Sequence, residues 1–142
     1  MSWARRAAIL LLPLLAGGCL HPPVIEETVY SPCHALSSSD WSAYVARIPD
    51  HHNRPVLKPT LFVRGKVTVP GDGYTVSLDR GPVQKLDAPV QQIMLRTDGS
   101  GTGSPTTLTV SGAFPPLKRY GSIVIRCGDG TMAIIKPVPR RD

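Results

Sequence analysis

Apolar and polar residues alternate along much of the second half of the chain, which predicts β-strands with one buried face. The clearest alternation covers TLFVRGKVTV at residues 60–69. Its predicted buried face consists of Leu61, Val63, Val67 and Val69. Gly65 occupies a position on the same face. A glycine inside a strand indicates a bulge or a close approach of another group to the backbone.

Five further segments continue this alternation between turn-forming residues. They cover residues 74–78, 88–97, 106–114, 121–127 and 131–136. Their predicted inward residues include Tyr74, Val76, Leu78, Ile93, Leu95, Leu108 and Val110. Gly81-Pro82 is expected to end the first of these strands. Gly128-Asp129-Gly130 predicts a hairpin between the last two, and the Gly/Ser/Thr-rich stretch from Asp98 to Pro105 predicts a flexible loop.

One segment has a helical spacing instead. Its apolar residues stand at i, i+3, i+4 and i+7, as Trp41, Tyr44, Val45 and Ile48. Serines at 37–39 offer an N-cap, and Pro49 would end the helix. The segment therefore predicts one short N-terminal helix that packs on a sheet; a ligand cradle formed by its aromatic residues is the alternative.

About six strands and one short helix place the chain in the mainly β class. The expected fold is a small antiparallel β-sandwich or barrel. The β domain is assigned to residues 33–136, with a flexible tail at 137–142.

The first eighteen residues have the layout of a secretory signal peptide. Arg5 and Arg6 precede an apolar core of nine residues, 7–15, and small residues follow it. This core is shorter than the roughly 20 residues of a membrane-spanning helix. The paired arginines are similar to a twin-arginine signal, but its usual hydrophobic and lysine positions are missing, which favours ordinary Sec export.

The signal ends in Ala16-Gly17-Gly18-Cys19, preceded by Leu14 and Leu15. This stretch resembles the lipobox of bacterial lipoproteins, although Ala16 stands where Leu is most typical. The resemblance implies cleavage before Cys19, a diacylglycerol on its thiol and usually a further acyl chain, such as palmitate, on its amino group. Leu20 after the cysteine implies the periplasmic face of the outer membrane. An ordinary signal cut nearby is the alternative.

The segment from Cys19 to Pro32 is expected to be a lipidated N-terminus and an extended tether. It contains Pro22, Pro23 and Pro32 and has no helical period. At about 3.3 Å per residue, the thirteen residues from Leu20 to Pro32 reach roughly 40 Å at most.

Removal of residues 1–18 from the 142-residue chain leaves 124 residues, which is the length of one domain. The net charge of +6 falls to +4 when Arg5 and Arg6 are lost. A mildly basic surface attracts anionic envelope polymers or lipid headgroups, or it simply keeps the domain soluble. Basic runs interleaved with aromatic residues are missing, so nucleic acid is not an expected partner.

With Cys19 acylated, Cys33 and Cys127 remain. Two cysteines in an exported domain predict a disulfide. A metal site formed by Cys33, His34 and Cys127 is the alternative, but the close ligand spacing typical of zinc sites is missing.

The strongest pattern for metal chemistry is Asp50-His51-His52, which His34 or His21 could join. Adjacent side chains diverge on most backbones, so these three residues stay weak candidates. Gly99–Gly103 lacks the Lys-Ser/Thr pair of a phosphate loop, and neither a nucleophile elbow nor a carboxylate pair is evident. We therefore expect no catalytic residues and no cofactor.

The expected function is that of a non-catalytic binding or structural accessory module of the cell envelope. Its partners would be the bilayer, through Cys19, and another envelope protein or an anionic polymer. Such a module should keep an apolar or edge-strand patch on its surface. The alternatives are a metal-binding protein and a small inhibitor or ligand-binding lipoprotein, similar to those that block lysozyme. Because blockers of basic lysozyme tend to be acidic, the charge of +4 argues against an inhibitor of that kind.

Overall fold

The alternating segments form two β-sheets that pack face to face. The computed structural model describes residues 32–49, 57–101 and 103–141. Its eight strands are β1 Ser37–Pro49, β2 Leu57–Val69, β3 Tyr74–Gln84, β4 Val90–Gly99, β5 Thr106–Phe114, β6 Ser122–Cys127, β7 Gly130–Ile135 and β8 Arg140–Arg141. The mainly β class and the sandwich are therefore confirmed.

The first sheet has the strand order β5-β2-β1-β8, and the second has the order β3-β4-β6-β7. Most neighbouring strands are antiparallel, as predicted. Two pairs are parallel instead, β4 with β6 and β1 with β8. The purely antiparallel arrangement is therefore corrected: β4 and β6 are joined by a path through the other sheet, and such a crossover allows parallel pairing.

The core lies between the sheets and consists of the inward residues of both. All eight aliphatic residues named above for β2, β4 and β5 belong to this core, and seven of them are buried. The seven are Leu61, Val63, Val67, Val69, Ile93, Leu95 and Val110, while Leu108 is partly buried. The predicted inward faces of these strands are thus confirmed.

The predicted helix is wrong, because its residues form strand β1. From Ser42 to Pro49 this strand pairs with β2, and a register shift separates Ser39 from Ser42. Asp40 adopts a φ of 55° at this bulge. The apolar residues then divide between two faces: Val45 is buried in the core, and Tyr44 lies on the outer face. The adjacent residues Tyr44 and Val45 lie on opposite faces of the strand but occupy the i+3 and i+4 positions counted from Trp41. Their spacing therefore resembles that of residues on one face of a helix.

Gly65 marks a close approach, as the sequence indicated. The ring of Trp41 lies directly over it, and a Cβ atom at this position would overlap the ring carbons. Trp41 is held there by a hydrogen bond that its Nε1 donates to Ser38 Oγ over 2.8 Å. The bulge in β1 thus brings an aromatic side chain into the gap that the glycine leaves in β2.

We expect Gly65→Ala to lower the free energy of unfolding by about 1–3 kcal/mol, because the added methyl group displaces the Trp41 ring. Urea unfolding of the purified domain measures the change. Gly103→Ala is the matched control, since a Cβ atom there meets nothing within 4 Å. Equal midpoints for Gly65→Ala and the parent domain would contradict the overlap.

Strand β3 continues past Gly81-Pro82, where it was predicted to end. The register with β4 shifts between Arg80 and Val83. The buried side chain of Gln91 fills this bulge: its Nε2 donates to Gly81 O over 2.8 Å, and its Oε1 accepts from Arg80 Nε. A side chain from the neighbouring strand thus replaces ladder hydrogen bonds that the proline removes.

The structure has eight strands where about six were predicted, and the two additional strands are β1 and β8. Strand β8 lies within the residues that were predicted to be a flexible tail. Val45 donates its backbone N–H to Pro139 O over 2.9 Å, and Arg140 and Arg141 pair with β1. The tail prediction is therefore corrected for residues 139–141, because β1 offers them an unpaired strand edge.

The Cys33–Cys127 disulfide is present, with the two Cα atoms 5.3 Å apart. It joins the segment before β1 to the end of β6. His34 donates its backbone N–H to Thr97 Oγ1 over 2.8 Å beside it. We call this end of the sandwich, which also carries the turn at 70–73, the upper end. The lower end carries the loops 85–89 and 115–121.

Candidate functional site

The residues that sequence reasoning selected do not form a site in the described part of the chain. Cys19 and the trio Asp50, His51 and His52 lie outside the described residues, so their roles stay predictions. Cys33 and Cys127 are consumed by the disulfide, which rules out the alternative metal site with His34. Within residues 32–49, 57–101 and 103–141, no group of three metal-ligating side chains comes together.

A concave surface lies on the outer face of the first sheet. It is a groove of about 530 Å³ that crosses β1, β2 and β5. Its lining residues are Ser42, Tyr44, Phe62, Val63, Arg64, Ser111, Gly112 and Ala113. We call it the outer groove.

An aromatic pair forms one wall of the outer groove. Tyr44 and Phe62 are direct neighbours across the β1–β2 ladder. Their ring centroids are 5.4 Å apart with an interplanar angle of 28°, which is a stacked arrangement. The guanidinium carbon of Arg141 lies 4.1 Å from the centre of the Tyr44 ring. Strand β8 therefore places the Arg141 guanidinium group beside this pair, and a cation–π contact holds it near the face of the Tyr44 ring.

Small residues of β5 form the floor beside these large side chains. In the ladder, Ala113 lies opposite Phe62, and Ser111 lies opposite Arg64. Because Ala and Ser are short, the Phe62 ring and the Arg64 side chain rise above them. This difference in side-chain length creates the outer groove, to which no described loop contributes a lining residue.

The charge of the outer groove is positive. Arg64 is exposed, and neither Arg64 nor Arg141 forms an ion pair with another described residue. Asp40 of β1 is already paired with Lys66 of β2 over 2.8 Å. Two guanidinium groups thus flank an aromatic wall, an arrangement that can bind a carboxylate or phosphate next to a flat apolar ring.

Sequence reasoning missed this groove because it assigned Tyr44 to a helix. As strand residues, Tyr44 and Phe62 have outward positions in neighbouring segments, and that alternation was the signal that could have paired them. The contribution of Arg141 depends on the pairing of β8 with β1, for which the two-residue strand gives no local pattern.

A scan against family models and searches of curated proteins and solved structures found no match to this chain. Among the residues that the structure describes, none belongs to a helix that could span a lipid bilayer.

Proposed function

We propose that this protein is a lipid-anchored lipoprotein of the cell envelope, and that its outer groove binds an anionic envelope glycan. The single observation that carries the binding proposal is the stacked pair Tyr44–Phe62 with Arg64 and Arg141 beside it. No enzymatic role is proposed.

The proposal of an anchor rests on the lipobox-like residues Ala16 to Cys19. The Cys33–Cys127 disulfide supports an exported protein, because disulfides persist in oxidising compartments and are rare in the cytosol. Three large apolar side chains of the described residues are exposed, namely Leu36 at the upper end, Leu86 at the lower end and Ile134 on β7.

The chemistry of the outer groove defines the ligand class. An aromatic ring packs against the apolar face of a sugar ring, and a guanidinium group makes paired hydrogen bonds to a carboxylate. A glycan whose sugar rings carry carboxylates offers both features in repeating units. The net charge of +4 for the chain without residues 1–18 adds long-range attraction to such a polymer.

The test is co-sedimentation of residues 20–142 with isolated peptidoglycan sacculi. This chain contains every strand, the core and the disulfide. We expect binding to native sacculi and weaker binding to sacculi whose carboxylates have been converted to amides. Arg64→Gln should weaken binding by about tenfold, since a hydrogen bond to a charged group contributes about 1.5–3 kcal/mol.

Lys136→Gln is the matched control, because it removes one exposed positive charge outside the outer groove. It should bind like the parent chain. Equal binding to native and amidated sacculi, or equal losses for Arg64→Gln and Lys136→Gln, would contradict the proposal.

A further inference from the structure

The lower end of the sandwich carries an apolar patch surrounded by cations. The loops 85–89 and 115–121 meet there around a shallow pocket of about 400 Å³. Its apolar lining residues are Val83, Leu86, Pro89 and Leu117, and its charged ones are Lys85, Lys118 and Arg119. We call this surface the lower tip. Leu86 is 61 % exposed.

Hydrogen bonds hold the two loops in place. Gly121 donates its N–H to Pro89 O over 2.8 Å, which ties one loop to the other. Leu117 donates its N–H to Tyr120 Oη over 2.8 Å. Burial raises the pKa of this Tyr120 hydroxyl. Arg140 donates to the carbonyl oxygens of Leu117 and Lys118. The exposed Leu86 and the partly buried Leu117 are therefore presented on a fixed support.

The charges around the patch are mostly positive. Lys85, Lys118 and Arg119 are exposed, and none of the three forms an ion pair with a described residue. Asp87 is the one acidic residue of the two loops. Leucine side chains surrounded by unpaired cations match the requirements of an anionic lipid surface, where apolar groups enter the acyl boundary and cations contact the phosphates.

We propose that the lower tip docks on an anionic lipid bilayer, with Leu86 and Leu117 inserted below the headgroups. Lys85, Lys118 and Arg119 contact lipid phosphates around them. This contact is separate from the outer groove, and it does not depend on acylation of Cys19.

The segment before Cys33 is long enough for the lower tip to contact the same bilayer that would hold an acylated Cys19. In the β4–β6 ladder, Val90 lies opposite Ser122 and Leu95 opposite Cys127. Five residues at about 3.3 Å each place the disulfide about 17 Å above the start of the lower loops. The fourteen residues from Cys19 to Pro32 can span at most about 45 Å. A domain standing on its lower tip is therefore within reach of an anchor in the same membrane.

The test is sedimentation of residues 20–142 with phosphatidylcholine vesicles, with and without phosphatidylglycerol. This chain lacks both the apolar leader and Cys19, so neither contributes to binding. We expect binding only when phosphatidylglycerol is present, and a loss of binding at high salt. Leu86→Ser should weaken binding at least tenfold, and Lys118→Gln should weaken it about fivefold.

Leu36→Ser is the matched control, since Leu36 is 59 % exposed at the upper end. It should bind vesicles like the parent chain. Equal binding to neutral and anionic vesicles, equal losses for Leu86→Ser and Leu36→Ser, or no vesicle binding at all would overturn the proposal. A chain that fails to bind vesicles but still binds sacculi would overturn the lower tip alone and leave the outer groove in place.

Discussion

Replacing Cys33 and Cys127 together by serine should lower the free energy of unfolding by about 4–5 kcal/mol. The two cysteines are 94 residues apart in sequence, so the disulfide closes nearly the whole domain into one loop. Without it, the unfolded chain gains the conformational entropy of that loop. Small domains have a total stability of about 5–15 kcal/mol, so we expect the serine variant to be close to unfolding at 37 °C.

Urea unfolding of residues 20–142 measures this change, because that chain contains no third thiol. The parent chain treated with a reductant should unfold at the same urea concentration as the double serine variant. An unfolding midpoint for the variant equal to that of the oxidised parent would contradict the stabilising role of the disulfide.

Cys19→Ser, expressed in a bacterium with two membranes, should move the protein from the membrane fraction to the soluble fraction. Each buried CH₂ of an acyl chain contributes about 0.8 kcal/mol, and two or more chains hold a protein nearly permanently. Fractions are compared after a high-salt wash, which screens the charges of the lower tip. The double variant Cys33→Ser, Cys127→Ser is the control and should remain with the membranes. Recovery of Cys19→Ser in the washed membranes would contradict the anchor.

The sequence predicted most of the sandwich because most strands have one buried face. In β2 and β5, alternation alone identified both the strand and its inward residues. In β3 the continuation past Pro82 depends on the Gln91 side chain, which comes from another strand. In β1 a bulge and an outward aromatic residue changed the apolar period, so the local pattern indicated the wrong element.

The candidate site was less predictable than the fold because it is assembled across strands. Tyr44, Phe62 and Arg141 are far apart in sequence, and their contact depends on the strand order β2-β1-β8. A period of two shows which face a residue occupies, but it does not show its neighbour across the ladder. The disulfide was predictable because counting cysteines left one pairing, once Cys19 was assigned to lipid.

Intact mass of the protein extracted from native membranes tests the central claim most directly, namely that export leaves a chain acylated at Cys19 and closed by one disulfide. We predict a mass that corresponds to residues 19–142 with a diacylglycerol group, usually one further acyl chain, and two hydrogens fewer than the reduced form. A chain that still begins at Met1, or one that carries no acyl group, would contradict the account.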